Sequence, residues 1–246
     1  MITVIARDYS FEVPETIPAG RVKFVLRNEG FEAHSAQLYR LNDEINIDRF
    51  RAAMDDGIAS EREVATVLGG PANVDRGKTG PPVEVLLEPG DYVVVCWLLG
   101  AGGTAHAFRN MVQTFRVTSS ADRQPTSPPT DGTFELSEYE IVVPEDFDGT
   151  GRYRVVNRGG EWHELVILKL GRKQSADDAL AHITGARLQY PPPYTSRGGV
   201  SGLEVGGEAV LEMDLQPGKY LLYCAVPDVH EVYHARRGMW KVVSVN

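Results

Sequence analysis

The chain has 246 residues, enough for two ordinary domains that each bury a core of their own. It carries 25 Lys and Arg against 34 Asp and Glu, and the net charge of -9 repels phosphate, which excludes nucleic acid and anionic membrane surfaces as partners. No apolar run approaches the roughly 20 residues that span a bilayer, and the opening MITVIARDYSFEVP lacks the features of a secretory leader, which predicts a cytoplasmic chain, or an extracytoplasmic one whose leader has been removed.

In chain order, the first half begins with YSFEVP (9–14) and the strand-like RVKFVLRN (21–28), then NEGFEAH (28–34). SEREVATVLGG follows as a helical insert opened by a Ser60, Glu63 capping box. LEPGDYVVVC ends at Cys96, and TFRV closes the half. TSSADRQPTSPPTDG (118–132) is rich in Ser, Thr and Pro and reads as a linker over 118–131.

The same order then returns. YEIVVP (139–144), YRVVN, NRGGEWH (157–163) and ELVILKL lead to a second helical insert, SADDALAHITG, with Ser175 and Asp178 at its start and Gly185 at its stop. LQPGKYLLYC ends at Cys224. The spacing between copies is 130 residues at Tyr9 and Tyr139 and 128 at Cys96 and Cys224, so the sequence reads as a tandem duplication. Short runs of Val, Tyr, Phe and Leu bounded by Pro and Gly turns predict an all-β protein: two tandem Greek-key β-sandwich domains, 1–117 and 132–246, each with a short helical insert.

Four residue types stay in step across the copies: His34, Cys96, His106 and Met111 in the first, His163, Cys224, His234 and Met239 in the second. Nine residues separate Cys from His in both, and four separate His from Met. A thiolate and two imidazoles in a plane with a weak axial thioether form a blue-copper electron-transfer site, in which soft sulfur favours Cu(I) and imidazole accepts either oxidation state. The other reading is a copper-free module that mediates protein contacts, its cysteines and methionines serving as small buried core residues. His182 and His230 read as surface residues, with His230 an alternative ligand beside Cys224.

With these residues both halves resemble the cupredoxins, the plastocyanin and azurin class, and are similar to small bacterial cupredoxin-like proteins with a PGxYxxxC strand and a GM ending. The resemblance implies one or two mononuclear type 1 copper sites built from the eight residues, electron transfer, and a redox partner protein. Glu164 stands after His163 where the well-known carriers place an Asn that ties the ligand loops together, and Ser35 stands there in the first copy. Gly238 and Pro227 favour the second site, because the first has Asn110 and the flexible GAGG (100–103) instead. An exposed edge of His234, flanked by Tyr233, Arg236 and Arg237, would suit an acidic partner. Copper oxidases of this class add interfacial copper bound by further histidines, commonly one beside the loop Cys. Here Val95 and Trp97 flank Cys96, and Tyr223 and Ala225 flank Cys224, which predicts a protein that is not an oxidase or nitrite reductase, and not an enzyme.

Overall fold

Successive side chains of a strand point to opposite faces, and in this chain the strands that carry the cysteines are buried on both. The computed structural model describes residues 1–121, 126–187 and 192–246. Residues 122–125, within the expected linker 118–131, lie outside the described residues.

The first half runs β1 (Ile2–Arg7), β2 (Ser10–Glu12), β3 (Thr16–Pro18), β4 (Gly20–Asn28), β5 (Gln37–Leu41), α1 (Ile47–Asp56), α2 (Ile58–Val64), β6 (Ala65–Val67), β7 (Val83–Leu87), β8 (Gly90–Val95) and β9 (Val112–Thr118). The second runs β10 (Gly132–Ser137), β11 (Glu140–Val142), β12 (Thr150–Asn157), β13 (His163–Leu170), α3 (Ala176–Ile183), β14 (Tyr194–Leu203), β15 (Glu208–Asp214), β16 (Gly218–Tyr223) and β17 (Trp240–Val245). The expected all-β architecture holds, and the halves follow a similar order of elements, the first having an extra short strand, β3, and a second helix. In each, the opening strand lies parallel to the strand that leads to the first histidine, β1 to β4 and β10 to β12.

Parity explains the apolar runs before the cysteines. On β8, Tyr92 and Val94 share a face with Cys96 and enter the central core with Phe24 and Phe115, while Val93 and Val95 face Phe50, Ala53 and Met54 of α1. On β16, Tyr220 and Leu222 share a face with Cys224, and Leu221 and Tyr223 pack toward Ala179 of α3. A strand clamped between a sheet and a helix has no polar face to show, so its sequence loses the alternation of a half-exposed strand.

The helical inserts differ from expectation in the first half. Asn46 caps α1 by accepting a hydrogen bond from the Arg49 N–H, Gly57 turns the chain at φ 97°, and α2 starts there, so Ser60 and Glu63 lie inside a helix and form no capping box. Ala65, Thr66 and Val67 then leave the helix to pair with Leu41, Arg40 and Tyr39. In the second half the capping box of Ser175 and Asp178 is present as expected. Among the described residues, no helix is long and apolar enough to cross a membrane.

The halves meet along both layers. One sheet runs continuously through both, in the order β11-β10-β12-β15-β7-β4-β1-β2, because Val210 and Leu211 of β15 pair with Glu84 and Val83 of β7. The other layer is made of β3-β9-β8-β5-β6 and β14-β13-β16-β17. The segment after β6 bridges to β14: Gly69 N–H donates to Gly202 O at 2.8 Å and Ser201 N–H to Gly70 O at 2.9 Å. On the joined sheet, Arg21 meets Glu208 at 2.9 Å and Lys23 meets Glu212 at 2.5 Å, while Arg152 reaches back to Glu84 at 3.5 Å.

Candidate metal centres

Each first histidine sits in a turn that the preceding asparagine builds. Asn28 Nδ2 donates to the carbonyls of Glu32 and Val74 at 2.7 and 2.8 Å, and its Oδ1 accepts from the Gly30 N–H. Asn157 does the same with Glu161, Leu203 and Gly159. Both asparagines are buried, and their amides satisfy backbone groups that the turn would otherwise leave unpaired. The glycine of the motif is steric. A Cβ on Gly30 would stand 2.6 Å from His34 Nε2, and one on Gly159 would stand 2.5 Å from His163 Nε2.

The other ligand candidates come from one loop, held alike in both halves. Cys96 N–H donates to Met111 O, His106 N–H to Leu98 O, Ala107 N–H to Cys96 O and Met111 N–H to His106 O, at 2.8 to 3.2 Å. Cys224, Met239, His234, Val226 and Ala235 repeat the pattern at 2.8 to 3.1 Å. A short 3-10 turn follows each histidine, His106–Arg109 and His234–Arg237, and the next residue is left-handed, Asn110 at φ 70° and Gly238 at φ 101°.

These turns converge the side chains. His34 Nδ1 and His106 Nδ1 are 3.1 Å apart, with Cys96 Sγ at 3.8 and 3.4 Å from them. His163 Nδ1 and His234 Nδ1 are 3.0 Å apart, with Cys224 Sγ 3.5 Å from His234 Nδ1. All six residues are fully buried, as are Met111 and Met239, which join the same core as the cysteines. The backbone N–H groups of Ser35 and Glu164 point at the sulfurs, each at 3.4 Å. The Glu164 side chain also accepts from the Ala225 N–H at 2.9 Å, so it ties the two ligand loops together itself.

The outer edge of each ring meets a carboxylate. His34 Nε2 lies 3.1 Å from Asp8, His106 Nε2 2.7 Å from Glu32, and His234 Nε2 2.9 Å from Glu161. Glu138 stands 3.9 Å from His163 Nε2, beyond hydrogen-bond reach, and that atom has no hydrogen-bond partner among the described residues. Tyr9 and Tyr139 stand edge-on to His106 and His234. A carboxylate on Nε2 holds the proton there and leaves the Nδ1 lone pair facing inward. In the first centre, where both Nε2 atoms are held in this way, two inward lone pairs 3.1 Å apart repel each other unless a proton or a metal cation lies between them; in the second, the unpartnered Nε2 of His163 leaves its Nδ1 able to donate to His234 instead. The rings are suited to metal binding: burial holds His34 and His234 below the usual histidine range, and burial with the neighbouring His234 brings His163 down to about 4. Burial also raises both thiols, so the cysteines become thiolates only against a positive charge such as a bound metal.

Sequence reasoning missed Asp8, Glu32, Glu138 and Glu161. The signal was present, because Asp8-Tyr9 and Glu138-Tyr139 stay in step across the copies, as do Glu32 and Glu161. It also misplaced the surface. His234 has no exposed edge, since Glu161 and Tyr139 cover it; of the two arginines beside it, Arg237 is paired with Asp228, while Arg236 donates to the Thr184 carbonyl and keeps its charge. His230 is exposed and His182 half-buried, and neither joins a cluster of potential ligands among the described residues.

No family model and no curated protein matches the sequence. Among solved structures the chain is similar to auracyanin A, a "blue" copper protein from Chloroflexus aurantiacus, at 16% identity over 48% of this chain and 97% of that one, with a TM-score of 0.33. It is similar to reduced auracyanin from Roseiflexus castenholzii at 15% identity over 47% and 94%, with a TM-score of 0.31. A copper-containing nitrite reductase from Thermus scotoductus matches all of this chain and 61% of its own at 13% identity, with a TM-score of 0.27. Nothing about the chemistry of this chain follows from likenesses at these TM-scores. The cupredoxin-like fold is carried by the sheet layout and the two His-Cys-His groups. The same comparisons correct one expectation, that the chain is not an enzyme. Multicopper oxidase, laccase and nitrite reductase structures are among the similar ones, so the fold occurs in enzymes, and a count of histidines within one chain does not separate carriers from oxidases.

Proposed function

We propose that each half binds one copper ion through His34, Cys96 and His106 or through His163, Cys224 and His234, with Met111 and Met239 as weak axial ligands, and that the protein transfers single electrons. The observation that supports this most directly is the pair of facing Nδ1 atoms, 3.1 and 3.0 Å apart, beside a buried sulfur in both halves. Bound copper would supply a one-electron couple. The protein's part is to fix the donors: the loop hydrogen bonds set the positions of Cys, His and Met, carboxylates hold the protons of His34, His106 and His234 on Nε2, and the N–H groups of Ser35 and Glu164 stabilise charge on sulfur. Donors that are already in place change little between oxidation states, which keeps reorganisation small.

Titration of the metal-free protein with Cu(II) should saturate at two ions per chain and produce an intense thiolate charge-transfer colour. The colour should vanish in the Cys96→Ser, Cys224→Ser double variant. Saturation without that colour, or no stoichiometric uptake, would leave the copper-free interaction module as the better reading.

A further inference from the structure

Where the ligands repeat, three aromatic residues do not. Trp162 precedes His163, but its counterpart before His34 is Ala33. Trp97 follows Cys96, but its counterpart after Cys224 is Ala225. Tyr39 of β5 pairs with Val93 where Leu168 of β13 pairs with Leu221, so the counterpart of Tyr39 is Leu168. All three aromatics therefore stand on one of the two paths that could join the centres, and all three counterparts are aliphatic.

The three touch in sequence. The Trp97 indole N–H donates to the Tyr39 hydroxyl oxygen at 2.8 Å, and the Tyr39 and Trp162 rings meet edge to face with centroids 6.1 Å apart. Tyr39 and Trp162 are each 3% exposed. The Arg62 guanidinium lies over the Trp162 ring, 5.0 Å from its centroid, and the Trp162 indole donates to Glu204 at 3.0 Å. The chain of contacts crosses from a residue bonded to one cysteine, through the seam, to a residue bonded to a histidine of the other centre. On the other side of the seam Tyr223, next to Cys224, accepts a hydrogen bond from Asn73 Nδ2 at 3.3 Å, one aromatic contact in place of a chain of three.

We propose that Trp97, Tyr39 and Trp162 form an electron path between the two metal centres, so that the chain works as a two-centre relay in place of two independent carriers. This rests on the copper reading above. In the step, a reduced ion in one centre gives up one electron and an oxidised ion in the other accepts it. No bond forms or breaks and no proton leaves: Tyr39 keeps its proton, donated toward Glu61 at 3.0 Å, and burial beside that carboxyl holds the phenol far from ionisation. Contacts through π-systems and a short hydrogen bond couple the centres better than aliphatic packing does.

The test uses the full chain loaded with copper, in a Met239→Gln background that shifts the absorption and potential of the second centre away from those of the first. After a flash of a small photoreductant, the absorbance of the two centres should re-equilibrate in a phase whose rate does not depend on protein concentration. Trp97→Leu and Trp162→Leu should each slow that phase by roughly an order of magnitude, while both charge-transfer bands and both potentials stay as they were. Tyr39→Phe keeps the ring, loses the hydrogen bond and should slow it less. Trp97 is only partly buried, so its variant tests the path even if Trp162→Leu fails to fold. In the metal-free chain, Tyr39→Phe should move the Trp97 indole N–H resonance and leave that of Trp162 in place. Absence of copper colour in the parent would remove the copper reading and the relay together. Normal colour with no concentration-independent phase, a phase unchanged in Trp97→Leu, or an unmoved Trp97 resonance would overturn the relay alone.

Discussion

Asn110 and Gly238 occupy the same left-handed turn, at φ 70° and 101°, each one residue before the methionine of its half. Asparagine is among the few residues that tolerate this conformation, so the first half gains no looseness from it. Asn110→Gly should leave stability within about 1 kcal/mol of the parent in denaturant unfolding, whereas Asn110→Val should cost about 1–2 kcal/mol. Equal effects of the two substitutions would show that the turn is not fixed at this residue.

Against the expected superiority of the second centre, the carboxylates around the histidines lead us to predict that the first binds copper more tightly. Both histidines of the first centre are held by carboxylates, at 3.1 and 2.7 Å, but His163 is left 3.9 Å from Glu138. Removing a partner that orients a metal-bound histidine lowers affinity by about 10- to 100-fold. Glu32→Ala and Asp8→Ala should show losses of that size in chelator-competition titrations with Cu(II), and Glu138→Ala a smaller one. A larger loss from Glu138→Ala would restore the original ranking.

How much of this was readable in the sequence follows from what each residue type can do. The eight ligand candidates were legible because His, Cys and Met are scarce and keep step across copies that otherwise diverge. Asn28 and Gly30 were visible as a motif, although their roles, satisfying a turn and making room for a ring, needed coordinates. Asp8, Glu32, Glu138 and Glu161 were hidden among 34 acidic residues, most of which are ordinary solvated charges. Helix α1 was missed because its buried stripe is only Phe50, Ala53 and Met54. The seam was illegible for another reason: β7 and β15 read as separate short strands, and nothing local in either names its partner.

Glu61 offers a test by pH. It is 5% exposed, and burial, opposed by the Tyr39 hydroxyl, pushes its carboxyl from 4.5 up to about 7. A carboxyl whose folded pKa is raised contributes stability below about 4.5 that is lost as the pH rises through about 7. Glu61→Gln should therefore be more stable than the parent at pH 8, by about 3 kcal/mol, with the gap closing as the pH falls to about 4.5. Urea unfolding across this range measures it, and a gap that does not change with pH would mean Glu61 is charged throughout.

Gly199 sits at φ 137° on β14, and a Cβ there would stand 2.0 Å from the Leu165 carbonyl oxygen. The clash is with backbone and cannot be relieved by rotating a side chain. Gly199→Ala should cost about 3 kcal/mol or more, read as a lower midpoint in denaturant. A loss under about 1 kcal/mol would mean that β14 can shift against β13.

The pairing of β7 with β15 also decides what each half would be in isolation. An unpaired strand presents a row of open N–H and C=O groups, a ready template for another chain. Cutting the protein between its halves would bare one such edge on each piece, together with the arginines and glutamates that now neutralise one another across it. Each piece should therefore be prone to self-association through that edge.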